Sequence, residues 1–176
     1  MLTATDIEVR YATSVGPGDS ATGVAAGSLG GYMSQTRIVG SVMHNLFDVV
    51  TGAENEAMDV EYRCLFFANT SSDDSLSSTR LWIESQVGGG ASCAIGLDPG
   101  GVVAMDSATA QAVTAANEST APAGVTFSSP TTEAASLEVG TFGPGECFAV
   151  WVRRTAANTP AVANDGVTLR ISGGTI

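Results

Sequence analysis

The chain has 176 residues and a formal net charge of −11; its seven basic residues are all arginine (Arg10, Arg37, Arg63, Arg80, Arg153, Arg154 and Arg170), and lysine is absent. That length suits one core-bearing domain able to bury roughly two thirds of its unfolded surface. An acidic chain with scattered cations repels phosphate backbones and anionic lipid, so neither nucleic acid nor a membrane surface is expected as a partner.

No run of about 18 apolar residues is present to span a bilayer. The opening MLTATDIEVR lacks the basic and apolar regions of a secretory signal, so the protein is expected to begin in the cytoplasm. Abundant glycine, alanine, serine and threonine with 6% aromatic residues favour many short strands and turns, and the expected class is all-β.

In chain order, residues 1–11 alternate, with Leu2, Ile7, Val9 and Tyr11 as apolar members between polar ones. They read as a short strand or an extended arm. Residues 12–31 are dominated by Gly, Ser, Ala and Thr, a composition that cannot bury enough surface to fold alone. Residues 1–40 are therefore expected to form an extended N-terminal arm with a flexible segment, with Leu2, Ile7, Val9 and Tyr11 as its interface side chains. Residues 41–176 are expected to form the folded domain.

Ser41 to Val50 fits a short helix, with Val42, Leu46 and Val49 or Val50 on one face, and equally an extended segment. Glu54, Glu56 and Asp59 follow in a polar loop without the ordered alternation of a calcium-binding EF-hand. Glu61 to Asn69 is a strong strand, a polar turn covers residues 70–78, and Arg80 to Gln86 returns as a strand. Ala91 to Leu97 is a short strand closed by the turn Asp98-Pro99-Gly100-Gly101. Residues 102–116 read as a weak helix or an edge loop, and one strand is expected around Val125 and Phe127, another over residues 136–141.

The turn Gly143-Pro144-Gly145 then leads into Glu146 to Arg154, the stretch that organises the rest. Phe148, Val150 and Val152 form one apolar face of it and Cys147, Ala149 and Trp151 the other, which places it in the middle of a sheet or against a partner chain. Val167 to Ser172 alternates and is expected to pair with it as a hairpin. The expected architecture is an antiparallel β-sandwich, immunoglobulin-like or jelly-roll.

Chemistry-bearing motifs are sparse. Cys64, Trp82 and Cys147 follow the cysteine–tryptophan–cysteine order of immunoglobulin domains, but Gly145 stands where the tyrosine two residues before the second cysteine is expected, and buried thiols are expected in a cytoplasmic product. A single histidine, His44, and no Cys-x-x-Cys pair argue against zinc. The triplet Gly88-Gly89-Gly90 lacks the lysine of a phosphate-binding loop. Glu61, Glu84 and Glu146 sit at strand ends, where acids are solvated rather than paired for glycoside hydrolysis. Trp82 and Trp151 lie inside strand patterns rather than on a carbohydrate platform. No cofactor, metal or enzymatic activity is expected.

Several segments together resemble a family of small virion structural proteins of tailed bacteriophages. They are Leu29-Gly30-Gly31 with Ser34, Asn45-Leu46-Phe47-Asp48, Thr51-Gly52-Ala53-Glu54, Glu61-Tyr62-Arg63-Cys64, Gly96-Leu97-Asp98-Pro99, the stretch from Asn117 to Val125, and Gly143-Pro144-Gly145-Glu146. The resemblance implies a virion component without enzymatic activity, assembled in the host bacterial cytoplasm. A capsid decoration (cement) protein is the first expectation, with the major capsid protein as partner and a trimer as its homo-oligomer. A tail or baseplate component is the alternative, and a carbohydrate-binding surface module a third.

Overall fold

The computed structural model describes residues 2–17 and 20–176; Met1, Gly18 and Asp19, three positions of the expected arm and flexible segment, lie outside the described residues. The fold is all-β and sandwich-like, with strands β1 (Ile7–Thr13), β2 (Gly30–Arg37), β3 (Val60–Asn69), β4 (Leu76–Gln86), β5 (Ser92–Ala104), β6 (Ala112–Thr114), β7 (Leu137–Phe142), β8 (Glu146–Thr155) and β9 (Val167–Thr175), and a short helix α1 (Gly52–Ala57). A six-stranded sheet runs β5-β8-β3-β1-β2-β6, and a three-stranded sheet runs β7-β4-β9.

β8 takes the interior position its two apolar faces demand, hydrogen-bonded to β3 on one side and β5 on the other. Phe148, Val150 and Val152 point between the sheets and meet Leu65, Phe67, Leu81, Ile83 and Phe142. Phe67 stacks on Phe148 at 5.2 Å between ring centroids, and Phe142 meets the same ring edge-on at 5.1 Å. The opposite face carries Cys147, Ala149 and Trp151 into a second core with Ala12, Met33, Cys64, Phe66 and Ala68. Full burial of each large side chain contributes about 1.5–3 kcal/mol, so a strand that feeds two cores is worth more than an edge strand of equal length.

The second core exists because the large sheet curls until β6 approaches β5. Asp98 of β5 closes the curl: its Oδ2 accepts from the Val113 N–H of β6 and from Trp151 Nε1, each at 3.0 Å, while Oδ1 accepts from the Gly100 N–H at 2.9 Å. Gln111 continues the seam, accepting from the Met33 N–H at 2.7 Å and donating to the Ala104 and Met105 carbonyls at 2.6 and 3.0 Å. Both side chains are buried and fully engaged, as buried polar groups must be. Gly30, at φ +86°, sits where β2 meets β6, and a Cβ there would lie 1.8 Å from the Val113 carbonyl oxygen.

The expected division into an arm of residues 1–40 and a body of residues 41–176 is corrected by the sheet itself. β1 lies inside it, pairing with β3 from Ile7↔Asn69 to Tyr11↔Leu65 and with β2 on its other edge. Composition misled because the glycine-rich stretch is held by bonds between residues distant in sequence: Ser28 Oγ accepts from the Ala12 N–H at 2.8 Å and donates to the Cys64 carbonyl of β3 at 2.5 Å.

β9 pairs with β4 in the small sheet rather than with β8. Both edges of β8 are already occupied, so no hairpin between β8 and β9 can form. Asp98-Pro99-Gly100-Gly101 does not end β5. The register jumps there from Leu97↔Val150 to Val102↔Phe148, a bulge at a sheet edge where proline and glycine are tolerated. Residues 41–50 form turns rather than a helix, and residues around Val125 and Phe127 run beside β5 with a single bridge, Ile95↔Ser128.

Cys64, Cys93 and Cys147 are free thiols. Cys64 stands opposite Trp151, and Cys147 opposite Ala68, on neighbouring strands of one sheet, whereas the immunoglobulin bridge joins two sheets. Burial pushes the Cys93 thiol up to about 11 and the Cys147 thiol up to about 12, and the Cys64 thiol well above its ordinary value.

Candidate functional site

Between β2 and β3 the chain leaves the sheet for residues 38–59, a stretch that combines a buried anchor with an exposed apolar surface. Among the described residues nine large hydrophobic side chains are exposed, and five of them fall here: Val39, Val42, Met43, Val49 and Met58, each 52% to 68% accessible. Apolar side chains scattered singly need no explanation; five of the nine within one segment make that segment the candidate site.

The segment is fixed from beneath. Ile38, Leu46 and Phe47 pack against the inter-sheet core. The Ile38 N–H donates to the Val9 carbonyl at 2.7 Å, and the Tyr11 hydroxyl donates to the Asn45 carbonyl at 2.5 Å. Phe47 is the centre of the anchor, with the Arg154 guanidinium 4.7 Å and the Arg63 guanidinium 5.6 Å from its ring centroid. Arg154 bonds Glu61 through Nε at 2.7 Å and through Nη2, and reaches up to the Asp48 carbonyl at 2.5 Å. Arg63 pairs with Glu118. Charges this deeply placed persist only when paired and hydrogen-bonded. Burial pushes the Glu61 carboxyl above its ordinary value, against the opposing pull of Arg154.

Past the anchor, α1 begins with a capping box in which Thr51 Oγ1 accepts from the Glu54 N–H and the Glu54 carboxylate accepts from the Thr51 N–H. The pattern Thr51-x-x-Glu54 was the local signal for this helix start, and the expected polar loop is in fact a short helix. Ser41, His44 and Met58 adopt left-handed backbone angles, φ 60°, 57° and 52°. Such residues cost of order 1 kcal/mol or more each and persist where the surroundings fix them.

The side chains expected at an arm interface lie elsewhere. Leu2, Ile7 and Val9 are half-buried against the inter-sheet core, and Tyr11 is half-buried with its hydroxyl committed to Asn45. Both edges of β1 are taken, so Ile7, Val9 and Tyr11 supply no free strand, and Leu2 precedes the strand. The three strand-end carboxylates are each engaged separately: Glu61 with Arg154, Glu84 with Arg170, and Glu146 with the Gly143 N–H at 2.5 Å. No group of three His, Cys, Asp or Glu side chains suited to a metal ion occurs among the described residues. Trp151 is fully buried, and Trp82 is nearly so beside the Arg170 guanidinium. An open cleft of about 470 Å³ between β4 and β5 is lined by Glu84, Ser85, Gln86, Ser92, Cys93 and Thr131.

Sequence reasoning named Phe47 and Asp98 only as members of longer segments and did not name Gln111; Phe47 holds the segment 38–59, while Asp98 and Gln111 hold the seam between β5 and β6. Compared with family models, with curated proteins and with solved structures, the chain matches none of them.

Proposed function

We propose that the chain is a non-enzymatic structural protein of a tailed-phage virion, a capsid decoration protein that stabilises the head by bridging subunits of the major capsid protein. The observation that carries this reading is the exposed apolar segment at residues 38–59, held on a buried ion-pair and aromatic anchor and so presented as a preformed surface. A preformed surface loses little entropy on docking. Repeated at many symmetry-related sites, individually weak contacts add up to a stabilised shell.

Strand addition in this reading needs an open sheet edge, and β9 offers one, since among the described residues no strand pairs with its second edge. A homotrimer, the state in which many such sandwiches decorate capsids, belongs to the same proposal. The test is the copy number of this polypeptide in purified particles, measured by quantitative mass spectrometry against the major capsid protein. About one copy per capsid subunit, or one trimer per local threefold, supports the reading. A handful of copies moves the protein to the tail or baseplate, and absence from the particle removes the proposal.

A further inference from the structure

We infer that the surface built by residues 38–59 docks onto an apolar patch rimmed by lysine or arginine on the particle shell, and that the carboxylates of this segment steer that contact. This rests on the reading of the chain as a virion component and names the chemistry of the face it meets.

Two features of one segment carry the inference. The first is the apolar set, Val39, Val42, Met43, Val49 and Met58, whose burial on docking supplies the affinity. The second is the charge around it. Asp48, Glu54, Glu56 and Asp59 fall within residues 38–59, and neither lysine nor arginine occurs between positions 38 and 62. The nearest arginines are committed: Arg63 and Arg154 are buried in ion pairs with Glu118 and Glu61, and Arg37 lies beside Glu8 at 3.5 Å. The Asp48 side chain remains 70% accessible despite its contact with Arg154, and Glu56 and Asp59 are exposed. The segment is therefore apolar at its exposed hydrophobic positions and uniformly acidic in formal charge.

That sign selects the partner. A second copy meeting this face with the same face would set one acidic segment against another, and like charges across an interface are costly. A face that buries the valines and methionines while offering cations to the carboxylates satisfies both features. The surface therefore suits a basic-rimmed partner rather than its own equivalent, and its association rate depends on salt within the reach of screening, about 8–10 Å at physiological ionic strength.

The experiment uses particles from a phage genome with this gene deleted, to which the purified full-length protein is added back at several salt concentrations. Four proteins are compared: wild type, Met43→Ser, Glu56→Lys and the control Val24→Ser, whose side chain is exposed outside the segment. All three substitution sites are solvent-facing, and unchanged thermal midpoints establish that each variant is folded. Expected are about tenfold weaker binding for Met43→Ser, a several-fold slower association with a shallower salt dependence for Glu56→Lys, and wild-type binding for Val24→Ser. Equal binding of all four to particles that normally carry the protein overturns the docking surface and leaves the virion reading standing. Absence of the wild-type chain from normal particles overturns both. A wild-type oligomer that Met43→Ser dissolves assigns the surface to self-contact and overturns the inference.

Discussion

Trp151 Nε1 donates to Asp98 Oδ2 across 3.0 Å, and both side chains are buried. The same oxygen holds the Val113 N–H, so one carboxylate joins the central strand, the bulge of β5 and the terminal strand β6. Removing the carboxylate orphans three N–H donors at once. Asp98→Ala is expected to destabilise the fold by about 3 kcal/mol, since losing a buried charged acceptor costs that order. Chemical denaturation measures it. A double-mutant cycle with Trp151→Phe is expected to show coupling of at least about 0.5 kcal/mol; strict additivity would mean the two groups do not share an interaction.

Phe47 fixes the exposed segment by lying between Arg63 and Arg154. Phe47→Ala removes a half-buried ring and two cation–π contacts, an expected loss of about 2–3 kcal/mol. The loss is expected to be local as well as global: proteolytic cleavage and amide exchange within residues 38–59 should accelerate more than in β8. Uniform acceleration throughout the chain would show that the ring supports the whole core rather than the segment.

Burial raises the Glu61 carboxyl above its ordinary value of 4.5, with Arg154 opposing. A carboxyl raised in the folded state binds its proton more tightly there than in the unfolded chain. Its contribution to stability is therefore full below about pH 4.5 and declines as pH rises through the raised value. Comparing wild type with Glu61→Gln by denaturation across pH 3 to 8, the stability difference, wild type minus variant, is expected to fall as pH rises through that window and to be flat above it. A difference that grows with pH instead would show that the ion pair with Arg154 outweighs burial.

The thiols offer a simpler readout. With Cys93 at about 11 and Cys147 at about 12, the nucleophilic thiolate is a minor species at pH 8, and Cys64 is fully buried besides. A thiol-reactive probe is expected to leave Cys64 and Cys147 unmodified in the native protein and to label three cysteines in denaturant. Rapid native labelling of Cys64 would contradict the second core.

What could be read from the residues is what depends on local alternation. β8 and β3 announce themselves because side chains of period two are apolar on both faces, and that places a strand in a sheet interior whatever its partners are. Partner choice is not local. Val167, Leu169 and Ile171 face the inter-sheet core as their alternation requires, yet nothing in them distinguishes β4 from β8 as neighbour. The glycine-rich stretch read as flexible because its order comes from Ser28 bonding to Ala12 and Cys64, and from the Gln111 N–H donating to the Gly31 carbonyl. Asp98 read as a turn residue because its acceptors serve donors on two other strands. The anchor under residues 38–59 was hidden for the same reason: Phe47 owes its place to arginines on β3 and β8.

The interior position of β8 also sets when this chain can fold. β3 is apolar on both faces, and its partner Phe148 lies about eighty residues beyond Phe67 in the sequence. At about 5–20 residues per second of synthesis, β3 waits roughly 4–16 s for the strand that buries it. Until residue 155 is made, neither core can close, so the native structure is committed only near the end of translation. High contact order of this kind slows folding and prolongs exposure of sticky strand edges, and truncation before β8 is expected to yield aggregates rather than a smaller stable body.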